Sequence, residues 1–216
     1  MHPPKHQRGF TFTETLVALV ASLVVVGSVM VFAVSAMRSN AQFVAGARVL
    51  QQMRQALNLV TGEIRRAGYY DDAARFVPSA AQAGLSDMPV IRSPSCIIVR
   101  YDRQGPLFHA YRYAAHNGVG VIQTTTSRGV EPDCDGSTVA GTWRDLTDPA
   151  LIDVQEFSFA PATDAGGCTS LHDYAVIVQD IDVRLKATKV GSPMVARELS
   201  ETARVRNDIM ASGSCT

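Results

Sequence analysis

The run from Leu16 to Met37 constrains this chain more than any other feature, because 22 consecutive residues carry no ionisable side chain. At 1.5 Å per residue such a run, if helical, reaches about 33 Å, enough to cross a hydrocarbon core of roughly 30 Å. It therefore reads as a membrane span. His2, Lys5, His6 and Arg8 precede it, and the positive-inside rule keeps such a cluster cytoplasmic and exports the residues beyond the span. The rival reading is a cleavable secretory signal with Ala33 and Ser35 as its small residues, but an apolar region of that kind spans only about 7–15 residues.

Proline placement extends the helix beyond the membrane. No proline lies between residues 5 and 77, and one would cost about 3 kcal/mol inside a helix. Phe43, Ala47, Leu50, Met53, Leu57, Val60, Ile64 and Ala67 recur at steps of three and four, which predicts one apolar face. Gln42, Arg48, Gln52, Gln55 and Glu63 occupy the opposite face. The expectation is one helix from about Thr13 to Ala67, its first half in lipid and its second packed on a soluble domain, with Gly68 as the stop.

After Gly68 the sequence turns to short β-rich runs between Gly, Pro, Ser and Asp clusters. Strands are expected over Cys96–Tyr101, Phe108–Tyr113, Gly120–Thr125, Ala150–Phe159, Tyr174–Lys186 and Val195–Val205. The last two read as an antiparallel hairpin turning at Gly191-Ser192-Pro193, since Ile181, Val183, Leu185 and Ala187 alternate with polar residues. Segments 71–94 and 127–141 read as long loops. The fold class is α+β: a long N-terminal α-helix, transmembrane in its first half, packed on a C-terminal antiparallel β-sheet.

Several chemistries lack an anchor in this sequence. Lysines plus arginines equal aspartates plus glutamates at 20 each, so the charge balance offers nucleic acid nothing, and Arg100, Arg103, Arg112 and Arg128 read as a solvated polar face. There is no G-x-S-x-G, P-loop or H-E-x-x-H, hence no catalytic residue to name, no cofactor, and no expectation of an enzyme. Glu131 to Ser137, "EPDCDGS", lacks the spaced ligands of a calcium loop and reads as an Asp-Gly turn. Cys96, Cys134, Cys168 and Cys215 all lie in the exported part, where an even count suggests two disulfides with three connectivities rather than a metal site. Cys96 with Cys134 and Cys168 with Cys215 is the pairing favoured, the second stapling the tail.

"RGFTFTE", Arg8 to Glu14, resembles the class III signal of type IV pilins and pseudopilins: a basic leader ending in glycine, a phenylalanine opening the mature chain, and a glutamate four residues on. The resemblance implies a type IV pilin fold, cleavage by a prepilin peptidase between Gly9 and Phe10, and N-methylation of Phe10. The family usually places aliphatic residues beside the glutamate, where this chain has Thr13 and Thr15. Glu14 then acquires a role, since a new amine on Phe10 is costly in hydrocarbon unless a carboxylate neutralises it. In the family that glutamate is taken to attract the amine of an adjoining subunit. Thr11-Phe12-Thr13-Glu14 also fits a capping box, and the two roles can coexist.

"GEIRRAGYY" at Gly62–Tyr70, "WRDLTDPALIDVQEFSF" at Trp143–Phe159 and "TARVRND" at Thr202–Asp208 resemble PilW-type minor pilins, though the chain is short for that family. Val31 stands where major pilins commonly carry proline. Arg65, Arg66, Tyr69 and Tyr70 read individually as helix-end chemistry, complementing the dipole and covering the sheet edge. The resemblance implies a cytoplasmic leader over 1–9, a membrane and assembly segment over 10–37, an amphipathic half-helix over 38–68 and a periplasmic head over 69–216. It implies an inner-membrane subunit that later joins the pilus near its tip, primes assembly, and has prepilin peptidase, minor and major pilins and the assembly platform as partners. The alternatives are a GspJ-like minor pseudopilin of a type II secretion system and, in another class, an anchored adhesion or DNA-uptake module.

Overall fold

The computed structural model describes residues 9, 11–69, 89–102, 104–135, 141–162, 168–171, 174–177, 179–206 and 209–212. The chain divides into two compact units, residues 1–44 and 45–216. Helix α1, Phe12–Arg66, runs without interruption for 55 residues, about 80 Å at the standard rise. Its ends lie one residue before those expected.

Within the first unit every described residue is exposed except half-buried Ala33. The helix is long and apolar enough to cross a membrane, with an 18-residue window of mean hydropathy 2.7. Three of its hydroxyls do not spoil that property. Thr15 Oγ1 donates to the Phe12 carbonyl, Ser22 Oγ to that of Leu19 and Ser28 Oγ to that of Val25, each at 2.8 Å. These groups bring their own acceptors into the apolar segment, where no water would supply one.

In the second unit, α1 buries Gly46, Val49, Met53, Ala56, Leu57, Val60, Thr61 and Ile64. This corrects the expected face at its N-terminal end: Phe43 is 77% exposed, Ala47 is exposed and Leu50 only half-buried. At about 100° per residue, Phe43, Ala47 and Leu50 lie roughly 60–120° to one side of the line through Gly46, Met53, Val60 and Ile64. The missing side chain at Gly46 lets the strand Ser192–Arg204 come close, with an Arg197 guanidinium nitrogen 3.0 Å from where a Cβ would stand.

The described residues form three antiparallel sheets rather than the single one expected. Strands β1 (Val90–Ser93), β2 (Cys96–Asp102), β3 (Pro106–His116), β4 (Val119–Arg128) and β5 (Arg144–Asp145) make a meander in chain order. β6 (Ile152–Pro161), β9 (Asp180–Lys189) and β10 (Ser192–Arg204) make a second sheet in the order β10-β9-β6. β7 (Cys168–Leu171), β8 (Tyr174–Ile177) and β11 (Ile209–Ser212) make a third, ordered β11-β8-β7. The strand expected over Tyr174–Lys186 is therefore two strands in different sheets. Apolar residues run from Tyr174 to Val178 and alternation with polar ones begins only at Ile181, but no Gly or Pro lies between, so no turn signal marks the break.

The hairpin β9–β10 does form, with Leu185 opposite Leu199 and Ile181 opposite Ala203. Ile181, Val183, Leu185 and Ala187 are fully buried in one core with the second half of α1, Phe157 and Phe159 of β6, and Ile97, Val99, Tyr111 and Ile122 of the five-stranded sheet. Both expected loops are shorter than supposed. Val90 and Ile91 pair with Ile98 and Ile97 as β1, and β4 continues through Ser127 and Arg128. Gly120 accommodates the crossing of β4 by β6, because a Cβ there would lie 1.9 Å from the Val154 carbonyl oxygen.

The opposite face of the five-stranded sheet carries a second, smaller apolar cluster of Ile98, Phe108 and Ala110, covered by Cys134 and Trp143. A disulfide joins Cys96 to Cys134, with Cα atoms 6.1 Å apart. Arg112 completes the cover by donating to the Cys134 carbonyl at 2.8 Å and lying 4.2 Å from the Trp143 ring centroid. Burial pulls the Arg112 pKa down while Asp135 pulls it back up. In the segment read as an Asp-Gly turn, Glu131 accepts from Arg92 Nε at 3.0 Å. The favoured partner of Cys168, Cys215, lies outside the described residues, so that second pairing does too.

Candidate processing and assembly site

Helix α1 begins with a reciprocal cap. The Thr11 N–H donates to Glu14 Oε2 at 2.9 Å and the Thr11 hydroxyl donates to the same oxygen at 3.0 Å. In return the Glu14 N–H points to Thr11 Oγ1 at 3.4 Å. Two helix-start amides with no acceptor along the chain thus find side-chain oxygens, and the negative charge sits at the positive end of the helix dipole. The Thr11 hydroxyl has one proton. Since that proton goes to Glu14, the 3.1 Å contact between the Thr11 and Thr13 hydroxyls runs with Thr13 as donor.

The local reading of Glu14 as half of a capping box is therefore what the described residues adopt. Gly9 is exposed, and Phe10 lies outside the described residues. Glu14 and Thr11 are brought together, and Gly9 lies two residues before the cap. Beyond Glu14 the next ionisable side chain is Arg38, so this carboxylate is the sole charge in the apolar part of the helix.

The far end of the helix is just as specified. Gly68 adopts φ 72°, the left-handed conformation that ends helices and that glycine enters without a Cβ penalty. Its N–H donates to the Arg100 carbonyl at 3.0 Å, and the Asp102 N–H donates to the Tyr69 carbonyl at 2.7 Å, so the chain leaves α1 already paired with β2. Arg65 meets Glu201 of β10 at 2.7 Å.

Glu63, which helical periodicity places on the polar face, instead accepts the Tyr101 hydroxyl and pairs with Arg66 at 3.4 Å. Burial first, and the Glu63 carboxylate next, push the Tyr101 pKa up, so this hydroxyl remains a donor. The same two causes push Tyr111 upward. Sequence reading missed Glu63 because its position borders the buried stripe, one turn from Ala67. The signal that could have found it is the strand Cys96 to Asp102, whose buried tyrosine needs an acceptor.

Two family models match. Residues 4–30 match the prokaryotic N-terminal methylation motif, spanning Gly9, the cap and most of the apolar helix. Residues 42–205, well over half of the chain, match prepilin peptidase-dependent protein B. The chain belongs to that family. No curated protein and no solved structure matches it significantly. Members of this family are type IV pilin-like, and the chain is accordingly a minor pilin or pseudopilin, processed by prepilin peptidase and held at the inner membrane through the apolar half of α1.

Proposed function

We propose that this protein is a PilW-type minor pilin, a non-enzymatic structural subunit that primes assembly of a type IV pilus and resides near its tip. One observation carries the reading. A methylation motif leads directly into an exposed apolar half-helix whose only charge is Glu14, and the second half of the same helix supplies one face of the core of the family-matched head. In this reading prepilin peptidase cuts between Gly9 and Phe10, releasing leader 1–9 on the cytoplasmic side, and Phe10 is N-methylated. Residues 10–37 span the membrane, 38–68 continue the helix, and 69–216 form the periplasmic head.

The mechanism derives from the cost of charge in lipid. Before cleavage Glu14 is satisfied by Thr11 of its own chain. Cleavage creates an amine that also needs a counter-ion, and the carboxylate nearest to it along the chain is Glu14. Pairing with the amine of an adjoining subunit sets the axial register while apolar helices exchange lipid contacts for one another. Major and minor pilins and the inner-membrane platform are the partners, and nucleic acid is not.

Deletion of the gene from its native host tests this. Loss of surface pili and twitching with intact protein secretion is the expected result. Loss of secretion with normal piliation would assign the chain to a type II secretion pseudopilus. Normal numbers of pili, together with tight surface or DNA binding by the protein, would overturn the assembly role.

A further inference from the structure

The segment Gly62 to Tyr69, the last turn of α1 and the residues that follow it, has no part in processing or in the Glu14 pairing, yet it is fastened to two strands of the head. Four contacts leave it in two directions. Toward β2, Glu63 receives the Tyr101 hydroxyl at its carboxylate and, at 3.3 Å, at its carbonyl. Gly68 and Tyr69 pair through their backbones with Arg100 and Asp102 of the same strand. Toward β10, Arg65 holds Glu201. Ala67 between them is fully buried, leaving no slack for a larger side chain or a shift of the turn.

The energetic weight of these contacts is unequal. Arg65 is half exposed, and ion pairs of that kind contribute little. The Glu63–Tyr101 contact is different, because Tyr101 is buried and the Glu63 side chain is only 15% exposed. A hydrogen bond to a carboxylate there is stronger than a neutral one, and removing either partner strands the other. Arg66 on the solvent side and His109 and Tyr111 of β3 are the other titratable groups around Glu63. The His109 ring meets Tyr101 edge-on at 5.2 Å and fixes the phenol's direction.

We propose that Gly62–Tyr69 is a clamp that fastens the end of α1 to β2 and β10, so that a pull on the helix reaches the five-stranded sheet and the β10-β9-β6 sheet without peeling the helix away. Glu63 and Tyr101 are its positioning pair. The inference rests on the assembly reading, in which the subunit is lifted out of the membrane by its helix. Without the clamp the pull would act on apolar side-chain contacts, which resist sliding poorly because they are non-directional, and on a long hydrogen bond from the Asp148 N–H to Gln52 Oε1 at 3.4 Å. With it, hydrogen bonds of fixed geometry must break together.

The test uses the full-length chain in its native host, with Tyr101→Phe, Glu63→Gln and the double variant. Mass spectrometry of the N terminus is read first, and failure of the wild-type chain to be processed and to enter pili would count against the assembly reading itself. If the clamp is right, each single variant is processed normally, and in detergent micelles the Gly68 and Asp102 amides exchange about tenfold faster. Recovery in sheared pili then falls severalfold, and the double variant is no worse than either single one. Unchanged amide exchange overturns the clamp, as does faster exchange with undiminished recovery. Arg54→Gln, at an exposed position of α1 outside the clamp, controls for general damage to the helix and should alter both readouts less than twofold, and a loss equal to that of Tyr101→Phe overturns the assignment of the pair.

Discussion

Glu14 and His109 are both ionisable groups placed among apolar surroundings, and the chain handles them differently. Glu14 accepts two hydrogen bonds from Thr11 and is the one carboxylate near the cut, so Glu14→Ala should leave insertion and cleavage intact while subunit recovery in sheared pili falls at least tenfold. Recovery equal to wild type would sink its assembly role. His109 has no such acceptor arrangement, and burial lowers its pKa below the ordinary 6.5 more than the nearby Glu63 raises it. A base whose folded pKa is depressed is neutral in both states above 6.5. As pH falls through 6.5 the unfolded chain takes up the proton first, and stability is lost. Thermal unfolding should therefore move to lower temperature between pH 7 and pH 5, and His109→Gln should flatten that slope. A slope unchanged by the substitution would mean that other groups govern the acid response. Glu14 was legible in the sequence because a single carboxylate before a charge-free run has few uses. Glu63 was not, because its partner is 38 residues away and only tertiary pairing brings Tyr101 to it.

Among the elements, α1 was the most readable, since absent proline and a three-four apolar recurrence both act locally and agree with the final structure to within a residue at each end. The sheets were less so. β1 and β5 are four residues or shorter and owe their existence to pairing with the longer β2 and β4, while β7, β8 and β11, four residues each, depend on pairing with one another rather than on their own pattern. The split of Tyr174–Lys186 between two sheets is of the same kind. Gly120 marks a place where two elements interfere sterically, and Gly120→Ala should destabilise by roughly 2 kcal/mol or more because the new methyl meets the Val154 carbonyl, a backbone atom that cannot swing aside. Urea denaturation measures this, and a change below about 0.5 kcal/mol would mean that β6 relaxes freely. The Cys96–Cys134 staple closes a separation of 38 residues, for which chain entropy gives about 4 kcal/mol. Its double alanine variant should lose that order of stability, with proteolytic nicking concentrated in residues 129–135 rather than in β9 and β10, because the disulfide covers only the smaller apolar cluster.

For the molecule as a whole the deciding fact is that the two halves of one helix answer to different solvents. From Thr11 to Val44 nothing but Ala33 is even half-buried, while from Gly46 onward the buried stripe is continuous with the core of the head. Burial of apolar area drives the second unit to close on itself, and the first has no internal surface to bury. Residues 45–216, exported to the periplasm without the preceding segment, should therefore fold as a soluble body with one cooperative unfolding transition and an intact Cys96–Cys134 bond. The full chain should sediment with membranes and resist extraction by salt, though not by detergent. Moving the cut to residue 57 tests the boundary from the other side. It removes Gly46 and, from the core they share with Val154, Phe157, Leu185 and Ala187, also Val49, Met53 and Ala56. At about 2–5 kcal/mol for each large side chain lost, such a fragment should not hold a native fold. Size-exclusion chromatography and near-ultraviolet circular dichroism of the two fragments read this directly. An equally well-folded 57–216 fragment would show that the sheets stand without the helix, and the dependence of the head on α1 would then be wrong.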